Sequence, residues 1–315
     1  MALHPPPAAA AGVHWVSVDW LGILAFALGW EVIYQVGKWA CAHYCTQWPK
    51  IASHGSSYFA AFINACVCSI AGLWICISLL GADDDARALI RDGDEYAMTT
   101  VAVLLAAHSF IGWLLMDIVH LITHFPDLGG TDMVIHHVCF ILLACVGYGY
   151  RVLPLTGGWL LLGEISSIPL NFRWFLINSG QGESPMLQWA NYAFAGCFFL
   201  FRVVVLWIGL FDLLLHLRPV LIAAPHYASA GAINALCVIV VACALLNLYW
   251  LLKIVRMTTR PPRQLRDESP LVARKPGQMR RNGSASSTSS LTAAEDLEIA
   301  VTPTTAAASI GRFRD

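Results

Sequence analysis

Apolar residues are distributed along this chain in long runs separated by short polar stretches. A helix needs roughly 20 apolar residues to cross a hydrocarbon core about 30 Å thick, and about seven runs approach that length. They lie near residues 18–42, 57–81, 97–122, 134–150, 157–178, 187–216 and 227–255. The fourth run is short, and the fifth is interrupted by Gly157, Gly158 and Pro169. The pattern predicts an all-α, polytopic membrane protein with about seven transmembrane helices.

The two ends of the chain differ in composition from the apolar runs. Residues 1–17 begin with prolines and alanines and predict a disordered N-terminal lead. From residue 257 onward, prolines, basic residues, serines and threonines give too little apolar surface to offset chain entropy, so residues 257–315 predict a disordered tail. Because Lys and Arg concentrate directly after the last run, the positive-inside rule predicts that this tail is cytosolic.

Composition narrows the class of protein. Hydrophobic residues make up 57% of the chain and charged residues 12%, which excludes an ordinary soluble domain. The formal net charge is -1, and no nucleic-acid partner is expected. The ten cysteines lie in or beside apolar runs without any C-x-x-C pair, so we interpret them as packing residues rather than metal ligands.

Six ionisable side chains cluster where the third run ends and the fourth begins. Such groups are costly at membrane depth and usually mark a functional interior. Three of them follow i, i+3, i+7 spacing, which places them on one face of a helix. Two more open the next run, so a hairpin of two helices would bring the whole cluster together. The six are Asp117, His120, His124, Asp132, His136 and His137.

Later runs carry a second set of polar residues. Glu164 and Asn171 are seven residues apart and share a helix face, and Pro169 between them removes a backbone hydrogen bond. An inward-facing fifth helix would bring Glu164 opposite the histidines, and a histidine beside a carboxylate suits a general base or a nucleophile. A structural polar network between helices would use the same residue types. The set is completed by Arg173, Arg202 and Asn247.

The histidines also raise two metal-site interpretations. His120-Leu-Ile-Thr-His124 followed by a histidine pair is similar to the histidine boxes of membrane di-iron enzymes, which need many more imidazoles than this chain supplies. A zinc ion held by three imidazoles and an acid is compatible with the residue count, but the last run lacks the histidine pair of seven-span zinc hydrolases. We therefore predict no metal site.

An ordered set of short motifs between about Trp48 and Lys253 is the most specific signal in the chain. The motifs are Trp48 with Ser53-His54, Asp132-x-x-x-His136-His137, Glu164-Ile-Ser-Ser-Ile-Pro169, Asn171-x-Arg173-Trp174-Phe175, Arg202 and Asn247-Leu-Tyr-Trp250. On these motifs the sequence resembles the TLC-domain family, which includes ceramide synthases and translocating-chain associating membrane proteins. The resemblance implies a TLC-type helical barrel around a lipid cavity, formed by the last six helices over residues 48–256. The first helix and its loop, residues 18–47, would lie outside that barrel.

In ceramide synthases, adjacent histidines and a following pair of aspartates form the motif that moves a fatty acyl group from coenzyme A to a sphingoid amine. This chain keeps the histidines and has Glu164 at the spacing of the first aspartate, but Ser167 stands at the second. The later glutamate and lysine of that motif are also missing, with Asn171 and Trp174 near those places. The sequence is more similar to TLC-domain proteins with the signature E-x-S-x-x-x-x-N-x-R-W, which are implicated in membrane lipid composition.

The resemblance and the residues together predict a role in membrane lipid homeostasis, in which the protein binds or remodels acyl lipids. If the protein is an enzyme, the expected reaction is acyl transfer to a membrane lipid, with catalytic roles for His136, His137 and Glu164. No bound cofactor is expected, and acyl-CoA would be the co-substrate. The alternative is a non-enzymatic lipid-binding scaffold or cargo receptor. The predicted substrate-binding residues are Asp117, His120, His124, Asp132, Asn171, Arg173, Arg202 and Asn247.

The remaining expectations concern partners and location. Membrane lipid is the expected ligand, and a second copy of the chain or another protein is a further expected partner. The resemblance to the TLC-domain family implies an integral membrane protein of the endoplasmic reticulum. The basic residues after the last run predict that its C-terminus lies in the cytosol. A transporter or channel is disfavoured because the polar groups cluster rather than follow a continuous path across the membrane.

Overall fold

Residues 18–90, 96–225 and 227–259 are described in the computed structural model of the chain, with side chains as far as residue 256. This part contains seven helices that are long and apolar enough to cross a membrane, and it contains no β-strand. The prediction of an all-α, polytopic membrane protein is confirmed. The spans are Trp20–Tyr44, Pro49–Leu79, Ala97–Thr123, Thr131–Tyr150, Pro154–Asn178, Pro185–Ala223 and Ala230–Arg256.

The boundaries of the spans differ from the apolar runs mainly where polar residues continue a helix beyond the hydrocarbon core. The second helix begins at Pro49, two turns before the apolar run, because proline fits the first position of a helix. A short helix, Asp84–Ala88, lies in the loop after it, and the Asp83 side chain caps this helix by accepting from Ala86 N at 2.7 Å. The predicted N-terminal lead, and all of the predicted tail beyond Thr259, lie outside the described residues.

Spans two to seven close into a ring. The second span packs on the third and the fifth, the third on the fourth, and the fifth on the sixth. The seventh span closes the ring, since Val240 packs in one cluster with Leu143 of the fourth span and Leu213 of the sixth. All these contacts lie within the compact unit that ends at Leu251. The order around the ring is therefore two, three, four, seven, six, five.

The first span lies outside this ring and packs on the second and third spans. Its Trp30 indole donates to the carbonyl oxygen of Ser109 at 3.0 Å. Gly112 of the third span allows the close approach, because a Cβ atom there would lie 2.8 Å from Ala27 N. The predicted six-helix barrel with one helix outside it is therefore what the described residues form.

The fifth and sixth spans are irregular where they face each other. The fifth consists of Pro154–Leu162, a 3₁₀ segment over Gly163–Ser166, and Ser167–Asn178. Pro169 has no N–H to donate to the carbonyl four residues earlier, so the regular ladder is incomplete at this place. The sixth span has a π-helical segment at Phe198–Val205. Such segments change the direction of side chains and are frequent at functional sites.

Candidate functional site

The histidine pair, His136 and His137, lies near the start of the fourth span, at the same end of the ring as the end of the third. His137 is 3% exposed. Its Nε2 lies 2.8 Å from Asp117 Oδ2 of the third span, and its Nδ1 lies 3.0 Å from the carbonyl oxygen of Met133. A carbonyl only accepts hydrogen bonds, so Nδ1 is the donor there. With the other nitrogen held by Asp117, His137 has a fixed orientation and no free nitrogen.

His136 differs from its neighbour because its buried Nδ1 has no hydrogen-bond partner among the described residues. Its ring is packed against Phe140 at 4.5 Å and Trp250 at 5.1 Å between centroids, and 5.8 Å from the ring of His137. The residue is 8% exposed. A buried polar atom without a partner costs about 1–3 kcal/mol, so His136 is available for a ligand or substrate.

An apolar cavity of about 100 Å³ begins one helical turn beyond His136. Phe140 connects the two, since it contacts the imidazole and also lines the cavity. The walls come from the second, third, fourth and fifth spans and from the loop at Ile90. Thr156 and Tyr148 supply the hydroxyl groups of an otherwise hydrocarbon lining. The arrangement places an imidazole with an unpaired nitrogen one helical turn from an apolar cavity.

Glu164 and Arg202 form a second polar group, which links the fifth and sixth spans. Arg202 Nη2 donates to Glu164 Oε1 at 2.8 Å and to Ser167 Oγ at 3.0 Å, and its Nε donates to Ser166 Oγ at 2.7 Å. Ser167 Oγ in turn donates to Glu164 Oε2 at 2.8 Å. A guanidinium in the membrane interior needs a carboxylate partner, and this network supplies one.

The predicted contact of Glu164 with an imidazole is wrong. Arg202 and Ser167 occupy the carboxylate of Glu164, while Asp117 binds His137 instead. The physical reason is that an arginine buried in the membrane competes for the nearest acid more strongly than a histidine, which can be neutral.

Two predicted binding residues flank the histidine pair on the side of the seventh span. Asp132 Oδ2 accepts from the Trp250 indole at 3.0 Å, and Trp250 packs against His136. Asn247, which is 2% exposed, donates from Nδ2 to the Cys243 carbonyl at 2.8 Å. Its Oδ1 has no partner among the described residues. Asn247 therefore offers an unpaired acceptor on the seventh span.

The structure separates His120 and His124 from the histidine pair, contrary to the predicted single stripe. His120 Nε2 lies 2.8 Å from Glu31 Oε2, and its ring stacks on Tyr34 at 3.7 Å, both on the first span outside the ring. His124 is the C-terminal cap of the third span, with Nδ1 3.0 Å from the His120 carbonyl oxygen. Asp117 and His120 are three residues apart, and three residues turn a helix by about 300°. Their side chains therefore differ in direction by about 60° around the helix axis. Asp117 and His120 consequently reach different neighbours.

The remaining predicted residues bind partners other than the histidines, Asn171 within its own helix and Arg173 on the sixth span. Asn171 donates from Nδ2 to the Ser167 carbonyl oxygen at 2.8 Å. Arg173 Nε donates to Asn191 Oδ1 of the sixth span at 2.5 Å. The described residues contain no group of three or more His, Cys, Asp or Glu side chains that could hold a metal ion.

The sequence interpretation assigned no chemistry to the aromatic residues that form the walls of the site. Trp250 donates to Asp132 and packs against His136. Trp113 lies 5.6 Å from the His137 ring, with its indole nitrogen unpaired within the described part of the chain. The sequence does contain a signal for Trp250, which lies three residues after Asn247 in the same motif. Nothing in the sequence distinguishes Trp113 from other buried tryptophans.

Comparison with known proteins identifies the family of this chain. A sequence model of the TLC domain matches residues 55–256, which is more than half of the 315-residue chain. The chain belongs to the TLC-domain family. The matched part of the chain contains the histidine pair, Glu164, Arg202 and Asn247, whereas the whole of the first span precedes it.

Two curated relatives are similar to this TLC-domain chain, and both are TLC domain-containing protein 4-B. The protein of Danio rerio is 31% identical over 155 residues, which are 46% of this chain and 54% of the relative. The protein of Xenopus laevis is 25% identical over 182 residues, which are 58% of this chain and 66% of the relative. The matches thus cover less than two thirds of either relative. Neither relative is described as a ceramide synthase.

Proposed function

We propose that this TLC-domain protein acts in membrane lipid homeostasis by binding an acyl lipid inside its ring of six spans. The hydrocarbon chain would occupy the apolar cavity, and the polar end of the lipid would meet the histidine pair. The observation that carries the proposal is the position of His136, whose unpaired imidazole is joined to the cavity by Phe140. A ligand with one polar end and one long apolar end matches both features.

The proposed reaction is acyl transfer, with acyl-CoA as the co-substrate. His136 has an unpaired ring nitrogen and would act as the acyl-accepting nucleophile or as the base that takes the proton of the acceptor. The C–S bond of the thioester would break, and coenzyme A would leave as the thiol with that proton. His137 would remain in its contact with Asp117 and keep the neighbouring His136 in position. Glu164 would take part through its charge and through the position of Arg202 rather than by contact with an imidazole.

The proposed location is the endoplasmic reticulum, with the C-terminus in the cytosol. The support for this orientation is the concentration of Lys and Arg after the last span. With seven spans, the histidine pair near the start of the fourth span then lies toward the cytosolic face. Acyl-CoA is a charged, water-soluble thioester, so this orientation would give it access to the imidazoles without crossing the membrane.

The second candidate function is a non-enzymatic lipid-binding scaffold or cargo receptor, with a protein or a second copy of the chain as partner. The observation that favours it is the network of Glu164, Arg202, Ser166 and Ser167, in which the predicted catalytic acid, Glu164, is bound between two spans. The two candidates share lipid binding and differ in chemistry. A covalent acyl group on a histidine, detected by mass spectrometry, would support the enzyme.

Filling the cavity is expected to remove bound lipid. Gly157 lines the cavity, and a Cβ atom added there meets nothing within 4 Å, so Gly157→Leu would place its side chain in the empty space. The protein, purified in mild detergent, should retain at least about fivefold less acyl lipid than wild type by mass spectrometry, since the inserted leucine competes for the same volume.

The matched control is Gly196→Leu. Gly196 also has nothing within 4 Å of an added Cβ, but it lies on an exposed part of the sixth span and does not line the cavity. This variant should retain lipid at the level of wild type. Equal retention by Gly157→Leu and wild type would contradict the proposed use of the cavity.

A further inference from the structure

The end of the ring opposite the histidine pair is closed by part of the loop between the second and third spans. This part consists of the short helix Asp84–Ala88 and the two residues after it. Ala88 and Leu89 belong to the buried cluster that joins the fourth, sixth and seventh spans, and Ile90 is 7% exposed. Residues 84–90 therefore form a plug at this end of the ring.

The plug forms one wall of the apolar cavity. Ile90 lines the cavity together with Leu153 and Pro154 at the start of the fifth span. A second, smaller void lies between the plug and the second and third spans, and Ile90 and Pro154 line both spaces. The cavity, of about 100 Å³, is smaller than the roughly 150 Å³ in which a protein interior holds benzene. With the plug in place it has room for only the end of a hydrocarbon chain, and displacement of Ile90 would join the two spaces.

The closed plug is bound to a turn that has an unfavourable backbone conformation. In this turn, between the fourth and fifth spans, Arg151 and Leu153 have φ angles of 55° and 63°, where residues other than glycine are sterically hindered. Ile90 N donates to the Arg151 carbonyl oxygen at 2.9 Å, and Leu153 N donates to the Ala88 carbonyl oxygen at 2.7 Å. Residues with such strain cluster at ligand clamps and switch regions. Withdrawal of the plug would free the turn to relax.

An ion pair attaches the plug to the sixth span. Arg87 Nη2 contacts Asp212 Oδ1, and both side chains are mostly buried. Arginine and a carboxylate frequently pair through two parallel hydrogen bonds, but Arg87 Nε and Asp212 Oδ2 have no partner among the described residues. The contact of Arg87 Nη1 with Asp84 Oδ1, at 2.7 Å, lies within the plug itself. The ion pair between the plug and the sixth span is thus incomplete.

We propose that residues 84–90 are a movable plug, which withdraws from the ring when a lipid chain enters the cavity and extends past Ile90. The ion pair of Arg87 and Asp212 is the latch that favours the closed position. This inference rests on the proposed function, in which the cavity holds an acyl chain. It adds a conformational step that makes the closed ring large enough for a long chain.

A disulfide between positions 89 and 152 tests whether the plug moves. Leu89 and Val152 form an antiparallel bridge flanked by the two backbone hydrogen bonds, so they are a non-hydrogen-bonded pair. The Cα atoms of such pairs are about 4.5 Å apart, within the range of roughly 4.4–6.8 Å that disulfides span.

The full-length variant Leu89→Cys/Val152→Cys is incubated in detergent micelles with labelled octadecanoic acid. One sample is first oxidised with diamide, which joins the two thiols as a disulfide, and the other is kept reduced with dithiothreitol. The oxidised protein should retain at least about tenfold less acid than the reduced protein, because the lock removes the open state that binds the chain. The single variant Leu89→Cys is the control for oxidation of native cysteines and should retain the same amount in both samples.

Releasing the latch provides a test that does not depend on the disulfide. Arg87→Met removes the ion pair with Asp212 and should take up the acid about fivefold faster than wild type, since the open state becomes more populated. The matched control is Asp84→Asn, which removes the partner of Arg87 within the plug and leaves Asp212 in place. This control should take up the acid at the rate of wild type.

The outcomes separate this inference from the proposed function. A loss of retention on oxidation that dithiothreitol reverses, with faster uptake by Arg87→Met, supports the movable plug. If the oxidised and reduced forms of the double variant retain equal amounts, or if Arg87→Met takes up the acid at the rate of wild type, the inference is overturned while lipid binding stands. If wild type retains no acid, the proposed function fails, and this inference fails with it.

Discussion

Replacing His136 by alanine is expected to reduce acyl transfer by about three orders of magnitude while the protein continues to bind lipid. Its imidazole is the one in the pair with an unpaired nitrogen, Nδ1, because Asp117 and the Met133 carbonyl occupy both nitrogens of His137. Loss of a base or nucleophile typically removes a factor of about 10²–10⁴ in rate. Transfer of a labelled acyl group from acyl-CoA to lipid acceptors in proteoliposomes measures this effect.

The matched control is His120→Ala. His120 is likewise a histidine at the same end of the spans, but it is bound to Glu31 of the first span, outside the ring. Replacing His120 should leave the transfer rate within about twofold of wild type, because the contact that is lost is remote from the histidine pair.

Asp117→Asn should give an intermediate loss of transfer rate, since His137 would keep its place through the Met133 carbonyl but lose its charge partner.

Equal activity of His136→Ala and wild type would exclude His136 as nucleophile or base. If wild type itself transfers no acyl group but retains lipid, the scaffold is the better description of the protein. Lipid retention is measured on the same samples, so that loss of chemistry is distinguished from loss of binding.

Removing the carboxylate of Glu164 is expected to cause the largest loss of stability. Glu164→Gln leaves the Arg202 guanidinium in the membrane interior with uncharged partners, whereas both side chains are mostly buried in the native pair. Breaking a buried ion pair on one side costs about 3–5 kcal/mol in the free energy of unfolding. Denaturation in detergent, followed by circular dichroism, would measure the difference.

A double variant and a surface control sharpen this prediction. Glu164→Gln combined with Arg202→Met removes both charges and should recover most of the stability lost by the single variant, since no uncompensated charge remains. Asp84→Asn removes an exposed acid from its pair with Arg87, which keeps its contact with Asp212, and should change stability by no more than about 0.5 kcal/mol. Additive losses in the double variant would contradict a direct pairing of Glu164 with Arg202.

The number and class of the helices could be predicted from the sequence because a membrane span depends on a local quantity, the length of an apolar run. The same holds for the buried position of the histidine pair, since ionisable residues in such runs avoid lipid. The helical boundaries were less accurate at Pro49 and after residue 216, where helices extend beyond the hydrocarbon core. Hydropathy does not record how far a helix continues into polar surroundings.

The partners of each ionisable group could not be predicted, because they depend on which helices become neighbours. Spacing placed Asp117 and His120 near one helix face, but the first span lies beside the third and takes His120 to Glu31. From the sequence, Glu164 could bind either a histidine or an arginine. It binds Arg202 because the fifth and sixth spans pack against each other. The cavity likewise arises from four spans and has no local signature in the sequence.

The central claim is that a lipid chain occupies the interior of the ring beside His136. The most direct measurement is photolabelling of the full-length protein with a fatty acid that carries a diazirine near its end, followed by identification of the labelled residues. We expect labels on cavity residues such as Phe140, Leu143 and Leu161, and their loss in Gly157→Leu. Labels confined to lipid-facing residues such as Leu142 and Trp189, unchanged by that substitution, would contradict the claim.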